Sequence, residues 1–289
     1  VRADVERAKH AATQMQMQPP AVNTSEWTMM DTQEVTRRVV HQRLHRYTDI
    51  GPDLAPYGSA RFKFDGVRLR VAFATAQQSG AADEIVARVQ RYARHRGLQP
   101  QWTVMPQRIG EAEFVEALPR AGFALNEALL LMAHEGYIQA PLNAQVTTQP
   151  VGVWDEMWQY EYGSRRSFFD EAHPQDVVVR QRARDRWREQ EQGWCRYYIA
   201  TLEGHPVGGA YVTLFEEIPT IMGVYTVEEA RQRGVATALL ARTIGEIIRP
   251  GRDICCLFVK HGNPAEQLYR QLGFVPLVDE LTYNWEQNR

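Results

Sequence analysis

The stretch from Thr220 to Leu277 constrains this chain more than any other. An apolar segment, Ile221–Val227, leads into a short loop, Arg231–Gln232–Arg233–Gly234–Val235–Ala236, and a helix-periodic segment begins at once. Ala236, Leu240, Ile244, Ile247 and Ile248 fall on one face of that helix. This order predicts a helix N-terminus at the end of a sheet, with first-turn N–H groups that have no partner inside the helix. Such groups form a site for an anion. Gly234 permits close approach or an unusual φ, and the small Ala236 keeps the helix start uncrowded.

The 289 residues are 44% hydrophobic, enough for one large domain or two ordinary ones. A net charge of -2 argues against nucleic acid or an anionic membrane as partner. No run approaches the ~18 apolar residues of a membrane span. Residues 1–29 lack the apolar centre of a signal peptide and read as a flexible tail. Cys195, Cys255 and Cys256 are odd in number and lack metal-ligand spacing, so they read as reduced, buried thiols of a cytoplasmic protein without a metal site. Arginine dominates the basic residues, with lysine only at positions 9, 63 and 260, so an isolated arginine carries little information.

In the N-terminal half a helix with Val35, Val39, Val40 and Leu44 precedes a hairpin turning at Asp65–Gly66. Ile85, Val86, Val89, Tyr92 and Ala93 mark a helix that Gly97 stops. A strand near Trp102–Met105, a helix over Glu111–Arg120 and a strand over Ala124–His134 follow. The alternation is that of an α/β (α+β) fold. Glu116–Leu125 resembles Gln267–Leu277: each has a short helix, a Gly-Phe and an apolar strand, with the Gly-Phe pairs 151 residues apart (273 minus 122). Two tandem units follow, 30–138 and 139–289. The first is shorter between its hairpin turn and its helix, so one strand is missing or fused there. Its loop Gln77–Asp83 has no arginine, and Leu118 stands where the second unit has Tyr269. It reads as scaffold.

In the C-terminal half Gly136–Pro150 is polar and reads as a linker or crossover. Trp154, Trp158 and Tyr162 have helical spacing and read as a buried aromatic face. Gly163–Asp170 reads as a loop forming a pocket wall. Strands Trp194–Thr201 and Val207–Phe215 follow, and Gly208 and Gly209 suggest close approach of a neighbour. After the opening stretch come a strand Cys255–Val259 and a helix Ala265–Leu272 that carries Tyr269.

From about Val146 to Trp285 this combination resembles the GNAT (Gcn5-related) N-acyltransferase superfamily. The resemblance implies a mixed, mostly antiparallel twisted sheet flanked by helices in each tandem unit, the first a degenerate GNAT-like copy, with acetyl-CoA as co-substrate and an amine acceptor. The loop Arg231, Gln232, Arg233, Gly234, Val235 and Ala236, with Thr237 in the first turn, would bind the pyrophosphate. Tyr225, Thr226 and Val227 would bind the pantetheine arm. Tyr269 would lie near the thioester sulfur and protonate the leaving thiolate. Asn263 resembles an asparagine often found ahead of that helix, but stands six residues before the tyrosine instead of seven.

A protonated amine (pKa ~10.4 for a lysine-like amine) needs a base, for which Glu216, Glu217, Glu228 and His261 are the candidates. The expected reaction is direct attack on the thioester with backbone N–H groups stabilising the oxyanion. The enzyme is expected to be a monomer or homodimer. A non-catalytic module that binds CoA or a protein partner is the alternative.

Overall fold

The computed structural model describes residues 32–44, 48, 51–55, 57–65, 67–108, 110–169, 175–214, 217–248 and 253–285. The tail expected at 1–29 and the candidate Glu216 lie outside them. In chain order the elements are α1 (Thr32–Leu44), β1 (Gly58–Asp65), β2 (Arg68–Ala76), α2 (Ala81–His95), β3 (Gln99–Val104), α3 (Phe114–Arg120), β4 (Phe123–Glu135) and β5 (Val146–Pro150). Then follow α4 (Trp154–Phe168), α5 (Asp176–Glu191), β6 (Cys195–Leu202), β7 (His205–Thr213), β8 (Thr220–Thr226), a 3-10 turn (Glu228–Ala230), α6 (Val235–Ile247), β9 (Ile254–Lys260), α7 (Ala265–Gln271) and β10 (Val275–Trp285).

All ten strands form one sheet, in the order β1-β2-β3-β10-β4-β9-β8-β7-β6-β5. β2 with β3 and β8 with β9 are parallel; the other pairs are antiparallel. The two tandem units therefore do not keep separate sheets. β10, last in the chain, lies between β3 and β4, and β4 lies against β9, so each half completes its sheet with the other half's last strand. Two apolar strands with neighbours on both sides leave no exposed edge in the middle of the molecule.

Helices cover both faces. Leu239, Leu240 and Ile244 of α6 pack with Leu130, Cys255 and Leu257. On the same face Ile85, Val86 and Val89 of α2 pack with Trp102 and Leu281. Val35 and Val39 of α1 cover Leu131, Cys256 and Val278 on the opposite face. Met157 and Tyr160 of α4 meet Tyr197 and Tyr225 there. The expected glycine approach is present: a Cβ on Gly208 would come within 2.8 Å of Val235, and one on Gly209 within 2.6 Å of Tyr160 and Tyr225.

Three local expectations need correcting. The segment read as a linker contains β5, whose polar alternation suits an edge strand with only β6 beside it. α4 continues through Phe168, so most of Gly163–Asp170 is helix. Nor do Trp154, Trp158 and Tyr162 form its buried face; Met157, Tyr160, Glu161, Gly163 and Ser164 do. Gly163 sets that orientation, because a Cβ there would stand 2.8 Å from the Tyr225 hydroxyl. Close approach at a small residue outweighs the number of rings on the other flank. As to the short first unit, β1–β2 runs straight into α2, so β2 holds the position beside β3 that β8 holds beside β9.

Candidate active site

β8 and β9 pair only at Thr220–Cys256 and Ile221–Leu257, and beyond those two pairs they diverge. The cause lies in β8. Its register against β7 shifts between Gly209 and Tyr211, and Gly223 has φ +58. Such a bulge bends the strand and reverses its alternation. Ile221 accordingly packs on the α6 side, whereas Tyr225 turns to α4 and donates its hydroxyl to the Tyr160 carbonyl at 2.9 Å. Gly223–Thr226 thus keeps an edge with no strand partner, facing β9.

The gap is a cleft of about 750 Å³ lined by Gly223–Thr226, Leu257–Lys260, Asn263, Leu268 and Tyr269, with Arg231 and Ala236 at one end and Glu127, Ser167 and Phe168 in other walls. Gly234, N-cap of α6, is left-handed (φ 78°, ψ 8°) and makes no side-chain cap hydrogen bond. No acidic residue occupies the first turn. Gln232 also has positive φ (60°). The Asn143 Nδ2 donates to the Arg233 carbonyl at 3.0 Å and pins this loop, while the Arg233 side chain turns to Glu203 at 3.0 Å. The amides of an uncapped first turn therefore lie beside Arg231 at the cleft end, an electropositive spot built mostly from backbone.

Tyr269 is 6% exposed, with its ring centroid 5.8 Å from that of Phe274. Burial pushes its pKa up to about 12, so the phenol stays protonated. Asn263 lines the cleft, and its Oδ1 accepts the Ala265 N–H at 2.9 Å, capping α7. Tyr225, Thr226, Arg231 and Ala236 also line it. Val227 gives its N–H to the Val207 carbonyl, and Val235 is buried against Gly208. Gln232 and Arg233 are exposed, and Thr237 is half-buried in the first turn.

The candidate bases fare differently. Glu217 is paired with Arg38 on the surface and is not brought to the cleft. Glu228 is exposed at the start of the 3-10 turn. His261 sits beside the cleft wall without lining it. Its Nε2 is 2.7 Å from an Asp279 oxygen, which raises its pKa, and Gln107 donates to the other Asp279 oxygen at 2.7 Å. Two charged wall residues escaped the sequence reading, Glu127 and Lys260. Glu127 comes from the other half, so no local pattern marks it.

A family model described as acetyltransferase (GNAT) domain matches residues 193–276, the segment that supplies most of the cleft lining. Residues 193–276 carry a GNAT acetyltransferase domain. Solved structures extend the likeness to both halves. A GCN5-related N-acetyltransferase from Kribbella flavida is 13% identical with a TM-score of 0.64, over 90% of this chain and 98% of that one. A tandem GNAT protein from the clavulanic acid biosynthesis pathway is 14% identical with a TM-score of 0.59, over the same shares. A GCN5-related N-acetyltransferase from Sphaerobacter thermophilus is 16% identical with a TM-score of 0.60, over 79% of this chain and 76% of that one. These likenesses concern the fold. A sequence search of curated proteins gives no match.

The GNAT half can be compared with its N-terminal counterpart position by position. Gly80, N-cap of α2, repeats the left-handed geometry of Gly234 (φ 80°, ψ -7°). Its N–H, however, already donates to the Glu113 carboxylate at 3.2 Å. Asp83 in that first turn is held by Arg120. β2 and β3 stay paired over five positions, against two for β8 and β9. The buried Glu111 accepts the Met105 N–H at 2.6 Å just past β3. Leu118, at the Tyr269 position, is fully buried. The first unit has the same scaffold, with its N-cap amide already bonded to its own Glu113 carboxylate.

None of the three cysteines forms a disulfide and all are buried; burial raises the Cys255 pKa, so that thiol stays protonated. Among the described residues no group of His, Cys, Asp and Glu could hold a metal ion, and no helix is long and apolar enough to cross a membrane.

Proposed function

We propose that this chain is an acetyl-CoA-dependent N-acetyltransferase that acetylates a primary amine of a small molecule or peptide, with its single active site in the C-terminal half. The observation carrying this reading is the opening between β8 and β9. It gathers an unpaired strand edge, an uncapped helix N-terminus and a buried tyrosine on one cleft.

The parts match acetyl-CoA in order. The free edge of Gly223–Thr226 offers N–H and C=O groups at strand spacing to the amides of the pantetheine arm. The α6 amides carry roughly half a positive charge and, with Arg231, suit the pyrophosphate. Tyr269, kept protonated, donates to the sulfur as the C–S bond breaks. Glu127 is the acidic side chain in the cleft wall, and we assign it the proton that the amine nitrogen loses on bonding to the carbonyl carbon. Buried thiols that form no disulfide fit the reducing cytoplasm, and the proposal includes that location.

The test is a melting-temperature shift with acetyl-CoA followed by thiol release over a panel of amines. Stabilisation by acetyl-CoA, amine-dependent thiol release and a loss of ~10²-fold or more in kcat/KM for Glu127→Gln are the expected results. Stabilisation without thiol release on any amine would instead identify a CoA-binding module.

A further inference from the structure

Lys260 and Glu127 are the two oppositely charged side chains in the cleft walls away from the α6 loop. Lys260 is the last residue of β9 and stands opposite Leu129 of β4, and Glu127 lies two residues along that strand. Cross-strand partners share a face, as do residues two apart, so both side chains leave the same side of the sheet. That side is set by the neighbours. Leu131 and its partner Phe258 pack with α1, while Leu130, Leu257 and Val259 pack under α6. The two charges therefore lie across the sheet from the α6 N-terminus, with diagonal Cα atoms about 7–8 Å apart. Neither makes an ion pair or a side-chain hydrogen bond among the described residues. Beside them Phe168 is 52% exposed, its ring 6.1 Å from that of Tyr225, and the Ser167 Oγ is buried without a hydrogen-bond partner.

We infer that the acceptor is a small zwitterion, an amino acid with an apolar side chain, whose ammonium meets Glu127 and whose carboxylate meets Lys260. The inference rests on the acetyltransferase reading and adds the acceptor class. Glu127 and Lys260 are not paired with each other in this structure, and a zwitterion between them neutralises both. Phe168 supplies an apolar wall for the side chain. Lysine is rare in this chain, three of 33 Lys and Arg, and a flexible point charge suits a small carboxylate that needs no bidentate fork.

The probes are L-phenylalanine and 2-phenylethylamine, which differ only by the carboxylate. Thiol release from acetyl-CoA should favour L-phenylalanine by about tenfold or more in kcat/KM, a charged contact in a partly desolvated site. Lys260→Met should bring the ratio near one by raising the KM of L-phenylalanine, and Lys260→Arg should restore part of it. Equal use of the two probes, or a ratio that survives Lys260→Met, would overturn the inference. So would a loss confined to the KM of acetyl-CoA, which would place Lys260 on the CoA side. Calorimetric binding of the same two probes to the CoA-bound protein reads the preference without turnover. A failure of acetyl transfer is thereby distinguished from a wrong acceptor class.

Discussion

Glu280 of β10 stands directly opposite Leu129 of β4, and the two are 151 residues apart (280 minus 129). The same spacing separates the two Gly-Phe pairs. On either side Leu281 faces Ala128 and Asp279 faces Leu130, the pattern of a two-fold axis through the ladder. A residue can face its own counterpart only on such an axis, as at an isologous contact. The two units thus meet as a dimer would, inside one chain.

Strand exchange makes the halves depend on each other. Heating should give one calorimetric transition whose van't Hoff and calorimetric enthalpies agree. Residues 139–289 produced alone lack β4, leaving the edges of β9 and β10 bare, and should aggregate. Two separate reversible transitions would show that the exchange carries little energy.

Gly234→Ala and Gly80→Ala make a matched pair. Both backbones are left-handed, and neither site crowds a Cβ: the nearest atom to Gly234 is the Asn143 Cβ at 3.5 Å, and nothing lies within 4 Å at Gly80. Each should cost about 1–2 kcal/mol of stability in a denaturant titration. Only Gly234→Ala should raise the KM for acetyl-CoA, because the Gly80 amide already serves Glu113.

Tyr269→Phe keeps the ring contact with Phe274 and removes the hydroxyl. We expect kcat to fall ~10²-fold or more, with the KM for acetyl-CoA nearly unchanged and the melting temperature within a few degrees. Steady-state thiol release and differential scanning fluorimetry measure both. An unchanged kcat would remove Tyr269 from the chemistry.

Glu111 predicts a pH dependence of stability. Burial raises its pKa from the ordinary 4.5 to about 7, although Arg108 pulls the other way. Between those values the folded state holds a proton that the unfolded state has lost, so stability falls as pH rises from about 4.5 to 7. Glu111→Gln should flatten this part of the curve in chemical denaturation followed against pH. A slope that persists in the variant would assign it to another group.

Local order determined much of what could be read beforehand. Ile221–Val227, Gly234 and the α6 stripe specify strand, loop and helix from neighbours in sequence, and Tyr269 follows four residues before Gly273. Those parts were legible because periodicity, a left-handed glycine and a helix start are short-range properties. The repeat was legible too, through two Gly-Phe pairs. What the tertiary structure decided was which strands meet. Glu127 reaches the cleft because β4 of one half pairs with β9 of the other, and Glu217 misses it because its loop turns to Arg38 of α1. Exchange of β4 and β10 depends on contacts about 120 to 180 residues apart, whose closure cost grows too slowly with loop length to mark the sequence. The sequence by itself determined the scaffold of an anion-binding strand–loop–helix and its duplication. Only the fold decided which charges face the space between β8 and β9, because strand pairing across the molecule is set by burial of both faces and leaves no local signature.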